Sequence, residues 1–351
     1  MTGTIQMNLF DYFMEDPSFT ISEARDVIKK VKNMKVNDES IRARIYEGVE
    51  KGIFEKVTRG VYKVSSQIQG KETACLLING DGRDLSMIED DSIDGIITDH
   101  PYGLKTQLKG GNRNFAKYEL FKYEKKDFQE KMRVLKEGSF LVEFLPEESE
   151  INYEYLYEVK KLAKEVGFQY FSKVPWVKGT FKANTGRKST NVEDVMIFSK
   201  GKPRALRLDQ KKNLQVAREN DIDVKGMNSE EVANILDEHG LAVYYMSGTH
   251  GMLPTDFNYQ PKSRNEKIIE AEKPVELYEQ IIQYISNPYE VILDQFAGSG
   301  NLAIACLNSD RYGIVIEKDP MMYEKMKFNI ETSAQFQEEY DEELDNDLEM
   351  E

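Results

Sequence analysis

The sequence predicts an α/β fold, Rossmann-like, with a small helical module ahead of it, and three observations carry that prediction. Beyond residue 70, short apolar runs bounded by Gly, Asn and Asp alternate with helix-periodic stretches, the pattern of a parallel sheet with helices on both faces. One such run, Val291-Ile292-Leu293, passes into Asp294-Gln295-Phe296-Ala297-Gly298-Ser299-Gly300 and then into helix-forming residues, so strand, glycine loop and helix start follow in order. Ahead of residue 70 the apolar spacing is helical before it changes to a short hairpin pattern. A length of 351 residues suits one large domain and a smaller unit. The expected division is 1–68 for the small module, 72–331 for the α/β domain with 201–265 inserted in it, and 335–351 for a tail.

Within 1–68, residues 9–13 read as a short helix, 21–31 as a second behind Thr20 as its cap, and 40–52 as a third with Ile41, Ile45 and Val49 on one face. Residues 53–57 and 61–64 read as strands joined by Thr58-Arg59-Gly60, and 65–70 as a linker. Three helices and a hairpin in this order resemble the winged helix-turn-helix family, with Ser40 to Arg44 opening the recognition helix. That resemblance implies DNA contact by Arg42 and Arg44, backed by residues 56–59. A protein-docking module is the alternative, and the near-neutral charge of the unit favours it.

In the α/β part, residues 76–78 run into Asn79-Gly80-Asp81 and 95–98 end at Asp99. A helix over 128–135 precedes a buried strand over 139–142, and 167–174 with 193–199 make a late strand pair. Residues 201–265 are polar, with strand periodicity only over 241–245, and read as an insertion. The α/β pattern resumes with a helix over 275–285, a strand over 291–293, the glycine loop, a helix over 301–307, a strand over 313–316 and a helix after Pro320.

Net charge is −15, which at first opposes a polyanionic partner. Nine of those acids fall between residues 338 and 351 with no base among them, which leaves −6 for the rest and predicts a solvated, disordered tail. Two basic runs stand out elsewhere: Lys105, Lys109, Arg113 and Lys117, then Lys178, Lys182, Arg187 and Lys188. Each suits a phosphate backbone, and each is equally an ordinary solvated loop. Cys75 and Cys306 lie in apolar contexts without zinc spacing or a disulfide framework, so both are expected to be buried and unpaired. No apolar run has membrane-spanning length, and a cytoplasmic location is expected.

The loop Asp294 to Gly300 offers backbone N–H groups at a helix start, and Glu317 closes the next strand, where a carboxylate can accept both hydroxyls of a ribose. Gly298-Ser299-Gly300-Asn301-Leu302-Ala303 also satisfies the dinucleotide fingerprint, so a nicotinamide dehydrogenase stands as one alternative. The surrounding residues point elsewhere. Asp-Gln-Phe-Ala-Gly-Ser-Gly-Asn resembles the Asp-Pro-Phe-x-Gly-Ser-Gly-Thr signature of the amino-methylating DNA methyltransferases, with Gln295 in place of proline. Glu272-Lys273-Pro274-Val275-Glu276-Leu277 resembles that family's Gln-Lys-Pro-x-Glu-Leu element, and Asn79-Gly80-Asp81 with Asp91 to Asp99 resembles its approach to the catalytic tetrad. Phe168 with Trp176-Val177-Lys178, and Glu193 to Gly201, match two further stretches. The tetrad precedes the glycine loop, the permuted order of the beta class. The resemblance covers about residues 76 to 330. It implies S-adenosyl-L-methionine as cofactor, held by Asp81, Lys273, Asp294, Phe296, Gly298, Ser299, Gly300, Asn301 and Glu317.

The same resemblance makes Asp99-His100-Pro101-Tyr102 the catalytic tetrad. An exocyclic amine on a base is a poor nucleophile because its lone pair is delocalised. If Asp99 accepts one amine hydrogen and the His100 carbonyl the other, the nitrogen is drawn toward tetrahedral geometry. Tyr102 then stacks on a base swung out of the helix, at about 1–3 kcal/mol per stacked base. His100 replaces the family's usual proline; a proton-accepting imidazole and a plain substitution are both open. His239 and His250 are expected to be surface groups. Aspartate at 99 leans toward adenine N6, with cytosine N4 as the alternative, and no Pro-Cys pair exists for carbon-5 methylation.

The candidate DNA contacts are Arg42, Arg44, Lys105, Lys109, Arg113, Trp176, Lys178, Arg187, Lys188 and Arg264, with Tyr244, Tyr245 and His250 in the insertion bearing on sequence choice. A core anchor is the alternative for Trp176. DNA is the expected partner; a homodimer and a partner restriction nuclease are compatible with the family. A DNA-binding regulator with a decayed methyltransferase domain is the remaining rival, with His100 and Gln295 as its marks.

Overall fold

The computed structural model describes residues 18–32, 38–50, 54–64, 67–70, 72–102, 120–179, 191–263, 267–269 and 272–333. The helix expected over 9–13, the acidic tail, and Lys105, Lys109, Arg113, Lys117, Lys182, Arg187, Lys188 and Arg264 lie outside them.

The N-terminal module comprises β1 (Ser18–Thr20), α1 (Ile21–Lys32), α2 (Asp38–Glu50), β2 (Phe54–Thr58) and β3 (Val61–Val64). The three strands form an antiparallel sheet in the order β1-β3-β2. Thr20 caps α1 as expected: its hydroxyl accepts from the Glu23 N–H at 3.3 Å while the Glu23 carboxylate accepts from the Thr20 N–H at 2.7 Å. Ile28, Ile41, Ile45, Phe19, Phe54 and Tyr62 are buried between helices and sheet. The Phe19 and Phe54 rings meet edge to face at 5.3 Å.

The α/β domain is built on β4 (Gln67–Gln69), β5 (Ala74–Asn79), β6 (Ile93–Thr98), β7 (Leu135–Pro146), β8 (Phe168–Val177), β9 (Val192–Lys200), β12 (Phe257–Asn258), β13 (Val291–Asp294) and β14 (Tyr312–Glu317). They form one nine-stranded sheet in the order β12-β8-β9-β7-β6-β13-β14-β5-β4. The flanking helices are α3 (Lys125–Val134), α4 (Tyr153–Glu165), α7 (Val275–Ile285) and α8 (Asn301–Asn308), followed by α9 over 320–333. The central strands are buried on both faces, β6 completely, which is why their sequences read as continuous apolar runs. Cys75 and Cys306 are both buried and free, as expected.

Three expectations are corrected and one helix is added. The sheet is mixed, because β9 runs antiparallel to both β7 and β8, and β4 antiparallel to β5. The expected linker contains β4, which covers the edge of β5, so the domain boundary falls before residue 67. Helix α4 was not anticipated. Residues 241–244 are not a strand: Leu241 and Val243 pack on α5 (Gln210–Glu219) and α6 (Ser229–Glu238), and the Tyr244 backbone is held by the Asn213 amide at 2.8 and 3.1 Å. Only Tyr245–Met246 pair as β11, with β10 (Arg207–Leu208). No helix among the described residues is long and apolar enough to cross a membrane.

Candidate active site

From β13 the chain crosses to β14 on one side, and from β6 to β7 on the other, while β6 and β13 lie side by side and parallel. Their carboxyl ends therefore flank a topological switch point, where open α/β sheets take their ligands. Asp99 follows β6 and Asp294 ends β13. The two ends are stitched by the Thr98 hydroxyl, which donates to Asp294 Oδ1 at 3.0 Å, and the Phe296 N–H donates to the same oxygen at 3.0 Å. Burial pushes the Asp294 carboxyl up to about 7, against those two hydrogen bonds.

The glycine loop turns sharply between β13 and α8. Gly298 and Gly300 have φ of +53° and +80°, and a Cβ on Gly300 would fall 2.7 Å from Met326. The Gly298 N–H donates to Glu317 Oε2 at 3.0 Å, and the Asp319 N–H to Glu317 Oε1 at 2.8 Å, which fixes this buried carboxylate beneath the loop. The Ser299 carbonyl accepts from Asn329 at 2.8 Å. Asn301 donates to Glu272 at 2.8 Å and to the Lys273 carbonyl at 2.7 Å, clamping the 272–274 segment onto the start of α8. Asp81 is exposed at the neighbouring end of β5, where it pairs with Lys318 at 3.1 Å. Gln295, in the position of the family's proline, is buried and donates to the Gly82 carbonyl at 2.6 Å; a Cβ on Gly82 would collide with the Gln295 carbonyl at 1.8 Å. An amide tether thus holds the loop against the segment after β5.

The donor set fits S-adenosylmethionine. A cationic ligand with a ribose diol would find the carboxylates of Asp81, Asp294 and Glu317, the half-buried ring of Phe296, and the side-chain-free backbone of the two glycines on this edge of the sheet. The buried Gln295 Oε1 lacks a hydrogen-bond partner among the described protein atoms.

The tetrad's first residue sits in a charge chain. Lys273 Nζ lies 2.5 Å from Asp99 Oδ2 and 3.2 Å from Glu193 Oε2, and Lys178 is ion-paired to the other oxygen of Glu193. Burial raises the Asp99 carboxyl, with Lys273 opposing and Glu193 adding to the rise. Burial also works against the Lys273 ammonium, but Asp99 and Glu193 outweigh it and hold its pKa above the ordinary lysine value. Lys273 therefore joins the cofactor side to the catalytic side. The Tyr102 N–H donates to the His100 carbonyl at 2.9 Å, and the Phe121 N–H to the Pro101 carbonyl at 3.2 Å. Tyr102 is half-buried.

The His100 ring points inward. It is 1% exposed, bonded through Nε2 to the Tyr155 hydroxyl and stacked on Tyr123 at 3.9 Å. Burial, then the charge of Lys131, push its pKa well below the ordinary histidine value. A neutral, buried ring does not serve as proton acceptor for a base at the mouth of the crevice.

Two expected DNA contacts are corrected by their surroundings. Trp176 is 1% exposed, its Nε1–H donating to the Tyr259 carbonyl at 2.9 Å, so it anchors β8 to the end of the insertion. Lys178 is committed to Glu193 and lies over the Trp176 ring at 4.9 Å. Arg42 and Arg44 are exposed on α2. Tyr244 and Tyr245 are exposed, and His239 and His250 are at the surface as expected, with His250 also bonded to the Ser286 carbonyl at 3.0 Å, which ties the insertion to the end of α7. No group of His, Cys, Asp and Glu among the described residues could hold a metal.

Glu193, Glu143, Lys131, Tyr123 and Tyr155 were not singled out from sequence. Glu143 did leave a signal, a lone acid inside the apolar run Phe140 to Leu145.

A switch-point crevice with a glycine loop on one strand and a half-buried carboxylate on its neighbour defines a Rossmann-like ligand site. The family described as DNA methylase, covering N6 and N4 enzymes, matches residues 93–328, and the chain belongs to it. It is a DNA methyltransferase with S-adenosyl-L-methionine as cofactor. It is 28% identical over 253 residues to the type II methyltransferase M.HpaI of Haemophilus parainfluenzae, which covers 71% of each chain. Among solved structures it is similar to the M1.HpyAVI–SAM complex, with a TM-score of 0.47 and 18% identity over 73% of this chain and 98% of that one. TTHA0409 of Thermus thermophilus gives 0.46 and 19% over 73% and 94%.

Proposed function

We propose that the protein transfers a methyl group from S-adenosyl-L-methionine to the N6 amine of adenine in DNA, with Asp99 and the His100 carbonyl holding the two amine hydrogens. The observation that carries this is the placement of Asp99 beside the glycine loop, on the carboxyl ends of adjacent parallel strands. S-adenosylmethionine supplies an electrophilic methyl group on a sulfonium. The Asp99 carboxylate accepts one N–H, and the lone pair left on the His100 carbonyl accepts the other. Both contacts localise the amine lone pair, so the rate comes from orientation and charge placement. When a base enters, Lys273 keeps Asp99 ionised through one oxygen and leaves the second for the amine. Tyr102 stacks on the extruded base.

Aspartate in the tetrad supports adenine, and the N4 amine of cytosine is the alternative within the same family. Residues 1–64 act as a winged-helix module presenting Arg42 and Arg44 to DNA, while 201–265 chooses the sequence through Tyr244, Tyr245 and the segment around Arg264. Lys105, Lys109, Arg113, Arg187 and Lys188 supply phosphate contacts.

The test is incubation with isotopically labelled methyl donor and mixed-sequence DNA, digestion, and identification of the labelled nucleoside by mass. Labelled N6-methyl-2′-deoxyadenosine is expected. Labelled N4-methyl-2′-deoxycytidine would replace the adenine assignment, and unlabelled DNA would overturn methyl transfer.

A further inference from the structure

Beneath the tetrad, away from the crevice, five polar side chains form a buried cluster inside the protein, a ring closed by hydrogen bonds except between His100 and Glu143. His100, Tyr123, Lys131, Glu143 and Tyr155 are 6% exposed or less. Lys131 Nζ is ion-paired to Glu143 Oε1 and donates to the Tyr123 hydroxyl at 2.6 Å. That hydroxyl donates to Glu143 Oε2 at 3.1 Å. The Tyr155 hydroxyl, faced by the Tyr123 backbone N–H, meets His100 Nε2, and His100 Nδ1 faces Glu143 Oε2 at 3.8 Å. A Tyr155 hydroxyl that donates to Nε2 places the imidazole proton on Nδ1, on the side of the Glu143 carboxylate though beyond hydrogen-bond reach of it.

We propose that this cluster is the positioning device of the tetrad: His100, bonded to Tyr155 and stacked on Tyr123, fixes from inside the protein the peptide whose carbonyl grips the amine. The proposal rests on the methyl-transfer function above. Three features of the geometry support it. The His100 side chain is anchored in the ring while its carbonyl belongs to the amine grip. Tyr123, which stacks on His100, is two residues from Phe121, whose N–H holds the Pro101 carbonyl. Burying a lysine and a glutamate costs several kcal/mol unless the pair is well bonded, so such a pair serves specificity of geometry more than stability. His100, Tyr155 and Glu143 act through the backbone and are positioning residues, with no proton passing to substrate.

The experiment is a double-mutant cycle at positions 100 and 155, read as kcat and KM for DNA with cofactor affinity measured by calorimetry. His100→Ala and Tyr155→Phe should each lower kcat about 10- to 100-fold, the scale of a misplaced reacting group, while KM and cofactor affinity hold. His100→Pro should recover most of the turnover that alanine loses, and Tyr155→Phe should then cost nothing further. An equal Tyr155→Phe loss in both backgrounds, or alanine turnover at the wild-type level, overturns the proposal. Tyr155→Phe removes a single oxygen and keeps the test open if the alanine variant fails to fold. Nitrogen NMR of the three histidines gives a readout independent of turnover. One neutral ring protonated on Nδ1 is expected, and a His100 that titrates in the ordinary range overturns the lock. Wild-type protein that labels no DNA would instead overturn the function, with the NMR result still deciding the ring.

Discussion

Lys273→Met tests the junction between cofactor and catalytic sides. The wild-type ammonium is 4% exposed and lies between Asp99 and Glu193, whose side chains are 24% and 21% exposed. Removing one partner of a buried pair costs about 3–5 kcal/mol, mainly because a charge is left uncompensated. Glu193 keeps Lys178 and both carboxylates retain some solvent, so the lower end, about 3 kcal/mol, applies here. The cost falls on Asp99, which is pushed toward its protonated form by burial and by Glu193 with only the weaker charge of Lys178 opposing. A protonated Asp99 is a poorer acceptor for the amine. At neutral pH about 3 kcal/mol corresponds to roughly a hundredfold loss of turnover. The sign fixes the pH response: as Asp99 ionises only at higher pH in the variant, the acid limb of the kcat profile should move to alkaline pH and activity should return along it. Lys273→Met with Glu193→Gln should regain part of the loss, because the like charge is gone. Methyl transfer to DNA measured from acid to mildly alkaline pH decides the matter. A variant with wild-type turnover and an unmoved acid limb would refute the role of the ion pair.

Asp294→Asn should flatten the pH dependence of stability. The folded carboxyl is raised to about 7, so the stability it contributes is complete below the unfolded aspartate range and lost as pH rises through about 7; chemical denaturation of wild type and variant across that window should show a steeper slope in wild type. Trp176→Ala should cost about 3–5 kcal/mol of stability by cavity formation, with the loss seen in denaturant midpoint; a stable variant with weakened DNA binding would restore Trp176 as a contact. Deleting residues 1–64, which spares β4, should weaken or relax DNA modification, and unchanged affinity and site choice would assign the module another partner. Raising salt should weaken DNA binding through counterion release despite the acidic composition, and a flat response would remove phosphate contacts from the account.

The carboxyl edge of the sheet was the most legible part of the chain. Helix α7 begins and ends where its apolar spacing does, and the strand, loop and helix around Gly298 lie as the sequence places them, because buried strands and glycine loops have few alternative uses. Antiparallel β9 was not legible, since strand direction is set by pairing rather than by composition. The strand expected over 241–244 is absent because Leu241 and Val243 satisfy a helical pair from outside, and their apolar spacing carries no mark of that. The ring under His100 joins residues from five separate stretches, so only Glu143 betrayed it locally.

His100 and Gln295 were the two departures that set an active enzyme against a decayed one. A residue freed from selection for geometry loses its partners, and in a core it leaves polar atoms unpaired, at about 1–3 kcal/mol each. Both residues here hold a buried partner through one polar atom, Gln295 through its amide N–H and His100 through Nε2, while Gln295 Oε1 and His100 Nδ1 have none among the described protein atoms. Gln295 ties the glycine loop to the Gly82 carbonyl, at a point where only glycine fits. His100 is held by Tyr155 over a bonded Lys131–Glu143 pair that an apolar core would not need. Each replaces the stiffness of a proline with hydrogen bonds drawn from another segment of the chain. Two such replacements, both at the crevice and both directed at loop rigidity, fit a site still required to hold a precise geometry. If calorimetry found no affinity for S-adenosylmethionine in the wild-type protein, that rigidity would serve some end other than methyl transfer.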